Sequence, residues 1–327
     1  MPFVFSAGFT HRSLLLGCFA LVGPAVACDA SSRNSVPPSQ GVSAAASAAA
    51  SAAASADASA NDDFGMPLPR GRTFSRIIAL EPATTEILFA LGAGDRLVGR
   101  SRFDTYPDSA LAVPDLGDGI RPNVEALVAA RPDLVVLYAS SDNRPAAERL
   151  RTLGIATAGF RSDRIEGFAR ITMELGRLAG DTVRAMAVRD SVLRTLAIVQ
   201  HITSESARPS VLMPVWHNPL YVIGGASFMN ELVTIAGGRN VYGSLDAPSP
   251  QVTFEDVVRR NADIILVSPV GRERLIANAG WRVIPAVRDG RVLAYDTLVT
   301  GRPGVRLGEA AVSLARLLHP ELSAALP

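Results

Sequence analysis

One ordered series of segments occurs twice in this chain, and no other feature of the sequence limits its possible folds as much. Ile77-Ile78-Ala79-Leu80 is a short apolar run with the character of a buried strand. After the loop Glu81-Pro82-Ala83-Thr84, a helical period from Thr85 to Leu91 is stopped by Gly92 and Gly94. Val211-Leu212-Met213 opens the second copy, followed by a loop carrying Trp216 and Tyr221 and a helical period from Phe228 to Ala236 that stops at Gly237-Gly238. The spacings agree. Glu86 lies six residues before Gly92, and Glu231 lies six before Gly237. Val124-Glu125-Ala126-Leu127-Val128, with Asn123 as its cap, stands over Phe254-Glu255-Asp256-Val257-Val258, with Thr253 as its cap. Eight positions separate Glu125 from Asp133, and eight again separate Glu255 from Asp263. Each of these helices leads into an apolar run, Leu134 to Tyr138 and Ile264 to Val267. In the first copy a further helix at 146–153 and a strand at 155–158 follow. Strand-like runs alternating with helical periods are the pattern of parallel βαβ units. The expectation is an α/β fold of two Rossmann-like lobes with parallel sheets.

Between the copies the pattern is helical. Phe168, Ile171, Leu175 and Leu178 keep one face as far as Gly180, and Ala185, Val188, Val192, Leu196 and Val199 keep one face of the next run. Residues 181–202 would extend about 33 Å as a helix, enough to cross from one lobe to the other. A single helical link bends less readily than paired flexible strands, because bending it breaks backbone hydrogen bonds. The chain therefore divides into an N-terminal lobe at 72–180, a backbone helix at 181–202 and a C-terminal lobe at 203–327.

The start of the chain reads as an address. Arg12 precedes an apolar run from Ser13 to Val22, too short to span the ~30 Å of a bilayer core. Ala25-Val26-Ala27-Cys28 then places small residues where a signal peptidase cuts, making residues 1–27 a signal peptide. Ordinary cleavage would release a free protein. A small residue directly before Cys28 also resembles the lipobox of bacterial lipoproteins, in which that cysteine carries the lipid. Cys18 lies inside the apolar run, which leaves Cys28 as the one cysteine of the mature chain. From Ser43 to Ala60 come twelve alanines, five serines and one aspartate, so residues 28–71 read as a low-complexity tether without an apolar face.

Composition removes several chemistries. The 327 residues carry 32 basic and 31 acidic side chains, and no basic stripe of the kind nucleic-acid binding requires. Every basic residue is arginine, which excludes a lysine Schiff base and a phosphate-binding loop. His11, His201, His217 and His319 include no i, i+4 pair, and two cysteines cannot build a thiolate cage. Neither a Gly-x-Ser-x-Gly elbow nor a Gly-x-Gly-x-x-Gly fingerprint is present. A secreted enzyme is the alternative these absences disfavour, and neither a catalytic residue, a resident metal nor an intrinsic cofactor is expected.

Arg76-Ile77-Ile78-Ala79-Leu80-Glu81-Pro82-Ala83-Thr84-Thr85-Glu86, the run Leu91 to Gly99, Arg131-Pro132-Asp133-Leu134-Val135, Ala236-Gly237-Gly238-Arg239-Asn240 and Arg302-Pro303-Gly304-Val305-Arg306-Leu307 form an ordered series over roughly 74–320. That series resembles the helical-backbone substrate-binding proteins of bacterial ABC importers, those for vitamin B12 above all, beside haem and ferric-siderophore binders. The resemblance implies two lobes joined by one long helix, with a cobalamin-type ligand in the cleft and haem or a ferric siderophore as alternatives. It also implies capture without chemistry, a permease and its ATPase subunit as partners, and a place on the outer side of the membrane, lipid-anchored or freely secreted.

Strand-end loops should line the cleft. Phe103, Tyr106, Tyr138, Trp216, His217 and Tyr221 are assigned to such loops, and rings make broad apolar walls at low entropy cost. Phe103, Tyr138 and Tyr221 fall where cobalamin binders carry aromatics, although around 117–123 and at Ser249 this chain lacks tryptophans found there. His217, Tyr221 and Tyr138 could ligate a metal centre, and Arg100, Arg102 and Arg302 could pair with ligand carboxylates. Glu125 and Glu255 match the family's permease-docking carboxylates. Each also stands in a first helical turn, where a carboxylate stabilises the macrodipole whatever its function.

Overall fold

The computed structural model describes residues 61–327; the signal peptide, Cys28 and the alanine-serine run lie outside them. In the N-terminal lobe, β1 (Ile77–Ala79), α1 (Pro82–Ala90), β2 (Leu97–Arg100), α2 (Val124–Ala129), β3 (Leu134–Tyr138), α3 (Arg144–Thr152), β4 (Ala156–Phe160) and α4 (Ile165–Ala179) follow one another. Next comes the backbone helix α5 (Thr182–Thr203). The C-terminal lobe holds β5 (Ser210–Leu212), a hairpin of β6 (Pro214–His217) and β7 (Leu220–Val222), α6 (Phe228–Ile235), β8 (Arg239–Asn240), α7 (Phe254–Arg260), β9 (Ile264–Val267), α8 (Pro269–Ala277), α9 (Pro285–Arg288), β10 (Val292–Ala294), α10 (Thr297–Thr300) and α11 (Leu307–Leu318).

The two main sheets are parallel and identical in plan. Their strand orders are β2-β1-β3-β4 and β8-β5-β9-β10, so each strand of one lobe has its counterpart in the other. Successive strand residues feed opposite faces. Ile77, Ala79, Leu134 and Val136 enter one core, while Ile78, Leu80, Val135 and Leu137 enter another beneath α2 and α3. Both faces are covered, which is why these strands are apolar throughout and do not alternate.

One core is shared between the lobes. It takes in Ile87 and Leu88 of α1, Leu175 and Leu178 of α4, Val192, Leu196 and Val199 of α5, Leu232 of α6 and Leu314 of α11. The apolar face read from Ala185 to Val199 is the one α5 lays against α4 and α11. Asp181 starts that helix by accepting the Arg184 amide at 2.8 Å.

Two carboxylates, one from each copy of the first helix, clasp the opposite lobe. Glu86 of α1 lies 2.9 Å from Arg306 and 3.5 Å from Arg302, with a side chain only 1% exposed. A Cβ on Gly304 would fall 2.7 Å from Glu86 Oε2, so the backbone between the arginines must be glycine for the carboxylate to enter. Glu231 of α6 answers it by accepting the Ile165 amide at 2.7 Å and pairing with Arg164. The equal spacing of Glu86 and Glu231 from their glycines thus records a duplicated contact.

Several expectations are corrected. Pro82 begins α1 as its first residue, so Pro82-Ala83-Thr84 is helix and not loop; proline fits there because that position's N–H has no partner to lose. The segment between Trp216 and Tyr221 is an antiparallel hairpin, with Trp216 opposite Tyr221 and His217 opposite Leu220. No counterpart follows β1. Residues 61–71, assigned to the tether, pack on the N-terminal lobe. Phe64 and Leu68 are buried, and Asp62 accepts the amides of Phe64, Met66 and Gly159 at 2.8–3.1 Å while pairing with Arg151 at 3.2 Å. This clip covers the outer edge of β4, where Asp63 donates to Gly159 O at 2.9 Å.

Asp62→Ala would leave three amides without their acceptor and remove the carboxylate from Arg151, which keeps its bonds to Thr157 and Pro67 O. We expect a loss of about 3 kcal/mol in urea unfolding at unchanged slope, as for other broken buried pairs. A change below about 0.5 kcal/mol would show that the clip does not stabilise the lobe.

Candidate functional site

The carboxyl ends of β1, β2 and β3 meet at a cavity of about 610 Å3. In a sheet ordered β2-β1-β3-β4 the chain reverses its winding between β1 and β3, which opens a crevice at their ends. Leu80, Glu81 and Pro82 come from the end of β1, Phe103 from the loop after β2, and Tyr138 to Asn143 from the end of β3. Asp118, Gly119 and Ile120 fill in from the connection to α2, and Gly301 and Arg302 from the other lobe complete the wall. The volume suits a ligand site of ordinary size.

Close packing holds these loops together. A Cβ on Gly119, whose φ is +77°, would fall 2.2 Å from Leu80 O. Asn143, 1% exposed, donates through Nδ2 to Gly119 O and Tyr138 O, both at 3.0 Å. Arg302 donates to Phe103 O at 2.7 Å and to Thr105 Oγ1 at 3.2 Å, tying the second lobe to the rim.

Carboxylates dominate the electrostatics. Glu81 accepts from Ser162, and burial, with Asp104 and Asp163 adding to it, pushes its carboxyl up from 4.5 to about 7. Burial also raises Asp104, against the pull of its bonds to Ser101 and Thr85. Tyr138 donates its phenol proton to Asp163 at 2.6 Å; burial first, and then that carboxylate, drive its ionisation far up. Glu86, in the clasp, is raised by burial even against Arg306 and Arg302.

The aromatic candidates separate. Phe103, half exposed, and Tyr138 line the cavity. Tyr106 lies under Arg306, whose guanidinium carbon is 3.9 Å from the ring centroid, so it belongs to the clasp. Tyr138, Trp216, His217 and Tyr221 sit on strands and not on loops. The hairpin residues do not line the cavity. Trp216, 61% exposed, donates to Asn218 O at 3.0 Å, His217 stands edge-on to Trp281 at 6.3 Å, and Tyr221 bridges to Gln251. Arg100 is buried and spent on Ala110 O and Ser101 O, so it cannot reach a ligand carboxylate; Arg102 remains exposed. Glu125 and Glu255 are exposed in equivalent first turns, and among the described residues neither makes an ion pair or hydrogen bond. Asn123 and Thr253 do the capping, accepting the Ala126 and Asp256 amides. Glu81, Asn143 and Asp163 were not expected in the site. The available signals were an acid directly after an apolar strand and a polar residue at a helix start. Among the described residues no cluster of three metal-ligating side chains occurs, and no helix is long and apolar enough to cross a membrane.

The model of the periplasmic binding protein family matches residues 77–297. The chain belongs to the periplasmic binding protein family. It is 31% identical over 255 residues to the uncharacterized ABC transporter substrate-binding lipoprotein YvrC of Bacillus subtilis, a match covering 75% of this chain and 80% of YvrC. It is 31% identical over 259 residues to a cobalamin-binding protein of Halobacterium salinarum, covering 75% and 69% of the two. Among solved structures, the periplasmic heme-binding protein BhuT in complex with two hemes superposes with a TM-score of 0.69 at 25% identity, over 78% of this chain and all of that one. The expected architecture of a helical-backbone periplasmic binding protein holds in its two parallel sheets and its linking helix.

A carboxyl raised from 4.5 to about 7 holds its proton more tightly when the protein is folded, so its contribution to stability is present below about 4.5 and lost as pH rises to 7. The melting temperature of Glu81→Gln should therefore gain on that of the native periplasmic binding protein between pH 4.5 and 7, the difference levelling off above. Parallel melting profiles would contradict the assignment.

Proposed function

We propose that this periplasmic binding protein is the extracytoplasmic capture component of an ABC importer and that its cargo is a corrinoid of the cobalamin type. The observation carrying the choice of cargo is the chemistry of the seam cavity. Its walls are Phe103, Ile120 and Tyr138, its charged groups are mostly carboxylates, and it offers no histidine, cysteine or methionine to a metal. Tyr138, the one phenol in the wall, is bonded to Asp163 and held protonated, so a phenolate–iron bond is opposed. Haem propionates and carboxylate siderophores would face Glu81, Asp118 and Asp142 with Arg302 as the one cation in the lining. A corrinoid already carries its metal fully chelated and is rimmed by carboxamides, so it needs walls and hydrogen bonds, not ligation. The identity with the Halobacterium salinarum protein agrees with this reading.

On this proposal Trp216 and Tyr221, which do not line the cavity, would meet the far side of a bulky cargo, while His217 stands edge-on to Trp281 within its own lobe and is not among the groups offered to a metal. Their hairpin leaves the carboxyl end of β5, the strand equivalent to β1, and Trp216 is exposed there. Phe103 and Tyr138 form the near wall, and Tyr106 supports it from the clasp. Capture involves no bond making. Cys28 would tie the protein to the outer face of the membrane, in keeping with the lipoprotein relative.

Delivery to a permease and its ATPase subunit falls to Glu125 and Glu255. Both carboxylates are free of partners among the described residues, one on each lobe, which suits steering by charge complementarity. Reversing both should abolish stimulation of the permease ATPase while leaving cargo affinity unchanged; undiminished stimulation would refute the docking role.

Thermal melting with cyanocobalamin tests the cargo. At a hundred times its dissociation constant it should stabilise the protein by about 2.7 kcal/mol, with haemin and ferric citrate giving far less. Stabilisation by haemin alone would overturn the corrinoid reading.

A further inference from the structure

The polar groups of the cavity wall divide unevenly: apart from Arg302 Nη1, which is held by charge beside Glu86, the buried donors have acceptors, whereas two buried acceptors have no donor. Asn143 commits both hydrogens of Nδ2 to Gly119 O and Tyr138 O, which fixes the orientation of its amide and leaves Oδ1 as the free end. The Tyr138 hydroxyl is committed to Asp163, and Arg302 Nη2 to Phe103 O and Thr105 Oγ1, while its Nη1 makes no hydrogen bond and is held only in an ion pair 3.5 Å from Glu86. The hydroxyls of Ser140 and Ser141 can act either way. Against these stand two oxygens withdrawn from solvent and without a hydrogen-bond partner among the described residues, Glu81 Oε2 and Asn143 Oδ1. Both residues line the same cavity. Glu81 cannot turn freely to find a partner, because its other oxygen is held by Ser162. Buried acceptors are normally satisfied, and a pair left empty in a cavity wall implies that something arriving from the cavity completes it.

We infer that Glu81 and Asn143 are the specificity-determining pair of the site, an acceptor pair that selects a cargo presenting hydrogen-bond donors at its rim, such as carboxamides, and rejects one rimmed with carboxylates. The inference rests on the corrinoid reading of the cavity and deepens it, since it assigns the discrimination to two named oxygens. A carboxylate in place of a carboxamide would bring an acceptor, and a negative charge, against Glu81 with Asp104 and Asp163 behind it. A site with its acceptors left unpaired by the wrong ligand discriminates far more strongly than an apolar wall can.

Protonation supplies an independent readout. The charged groups acting on Glu81 are Asp104 and Asp163, and Asp118, Asp142 and Arg302 share its cavity wall, with Tyr138 and Ser162 as neutral neighbours. A donor on Glu81 favours the ionised carboxyl, so binding releases a proton and affinity rises as pH passes upward through about 7.

The experiment titrates the full mature protein, native and Glu81→Gln, with cyanocobalamin and with its isomeric ring-edge monocarboxylates, in each of which one carboxamide has been hydrolysed. In the native protein at least one isomer should bind tenfold or more weakly than the parent compound, and affinity for the parent should rise from pH 6 to pH 8. In Glu81→Gln the gap should shrink below threefold and the pH dependence should vanish. Monocarboxylates that all match the parent within twofold, or a gap and pH profile that survive in the variant, would overturn the inference while leaving corrinoid capture intact. Failure of the native protein to bind cyanocobalamin would overturn both. The comparison of ligands in the native protein stands even where the variant does not fold.

Discussion

The relation between the lobes depends on a buried carboxylate. Glu86 draws Arg302 and Arg306 from the far end of the chain onto the first helix of the N-terminal lobe. Arg302 then reaches Phe103 O, and Arg306 stacks on Tyr106. The rim of the cavity is therefore positioned by the same ion cluster that holds the lobes. Removing one member of such a cluster strands the others in low dielectric, which is far costlier than breaking a surface pair. The symmetric contact of Glu231 with Arg164 and Ile165 is more exposed, and its ion pair accordingly weaker, although the backbone bond to Ile165 remains. One face of α5 is buried in a core common to both lobes, and opening them about this helix would have to disturb that packing.

The duplicated architecture was legible because its signals are local. The apolar runs from Ile77 and from Leu134, the caps at Asn123 and Thr253, and the face of α5 each depend on residues within a few positions, and each appears in the structure as read. What was not legible depends on distant partners or on competing local cues. Nothing near Asp62 announces that Arg151 and Gly159 will take it up, and the preceding alanine-serine run disguised the clip. In the hairpin, Pro214, Asn218 and Pro219 interrupt the strand pattern and made the segment resemble a loop. The motif Arg302-Pro303-Gly304-Val305-Arg306 was visible as a series of residues, but its purpose depends on Glu86, 220 positions from Arg306.

The site was half legible. Residue type and strand-end position brought Phe103 and Tyr138 into view, since large rings near the switch point of a parallel sheet have few other uses. Tyr106 has such a use, beneath Arg306. Glu81 and Asn143 escaped notice because a glutamate before a proline and an asparagine before a helix are common outside binding sites. They become informative only when one sees what satisfies them and what does not: Ser162 for one oxygen of Glu81, Gly119 and Tyr138 for the nitrogen of Asn143, and nothing for the remaining acceptors. An electrostatic site of this kind is built from absences of partners, which no local pattern encodes.

On the proposed corrinoid reading, capture would be a matter of fit and hydrogen-bond sense, with the metal of the cargo left untouched by the protein. A crystal structure of the mature protein with cyanocobalamin tests that account most directly. It should show the corrin ring in the seam against Phe103 and Tyr138, ring-edge amide nitrogens about 3 Å from Glu81 and Asn143, and no side chain bonded to cobalt. A ring seated outside the seam, or a cobalt ligated by His217 or a tyrosine, would contradict it.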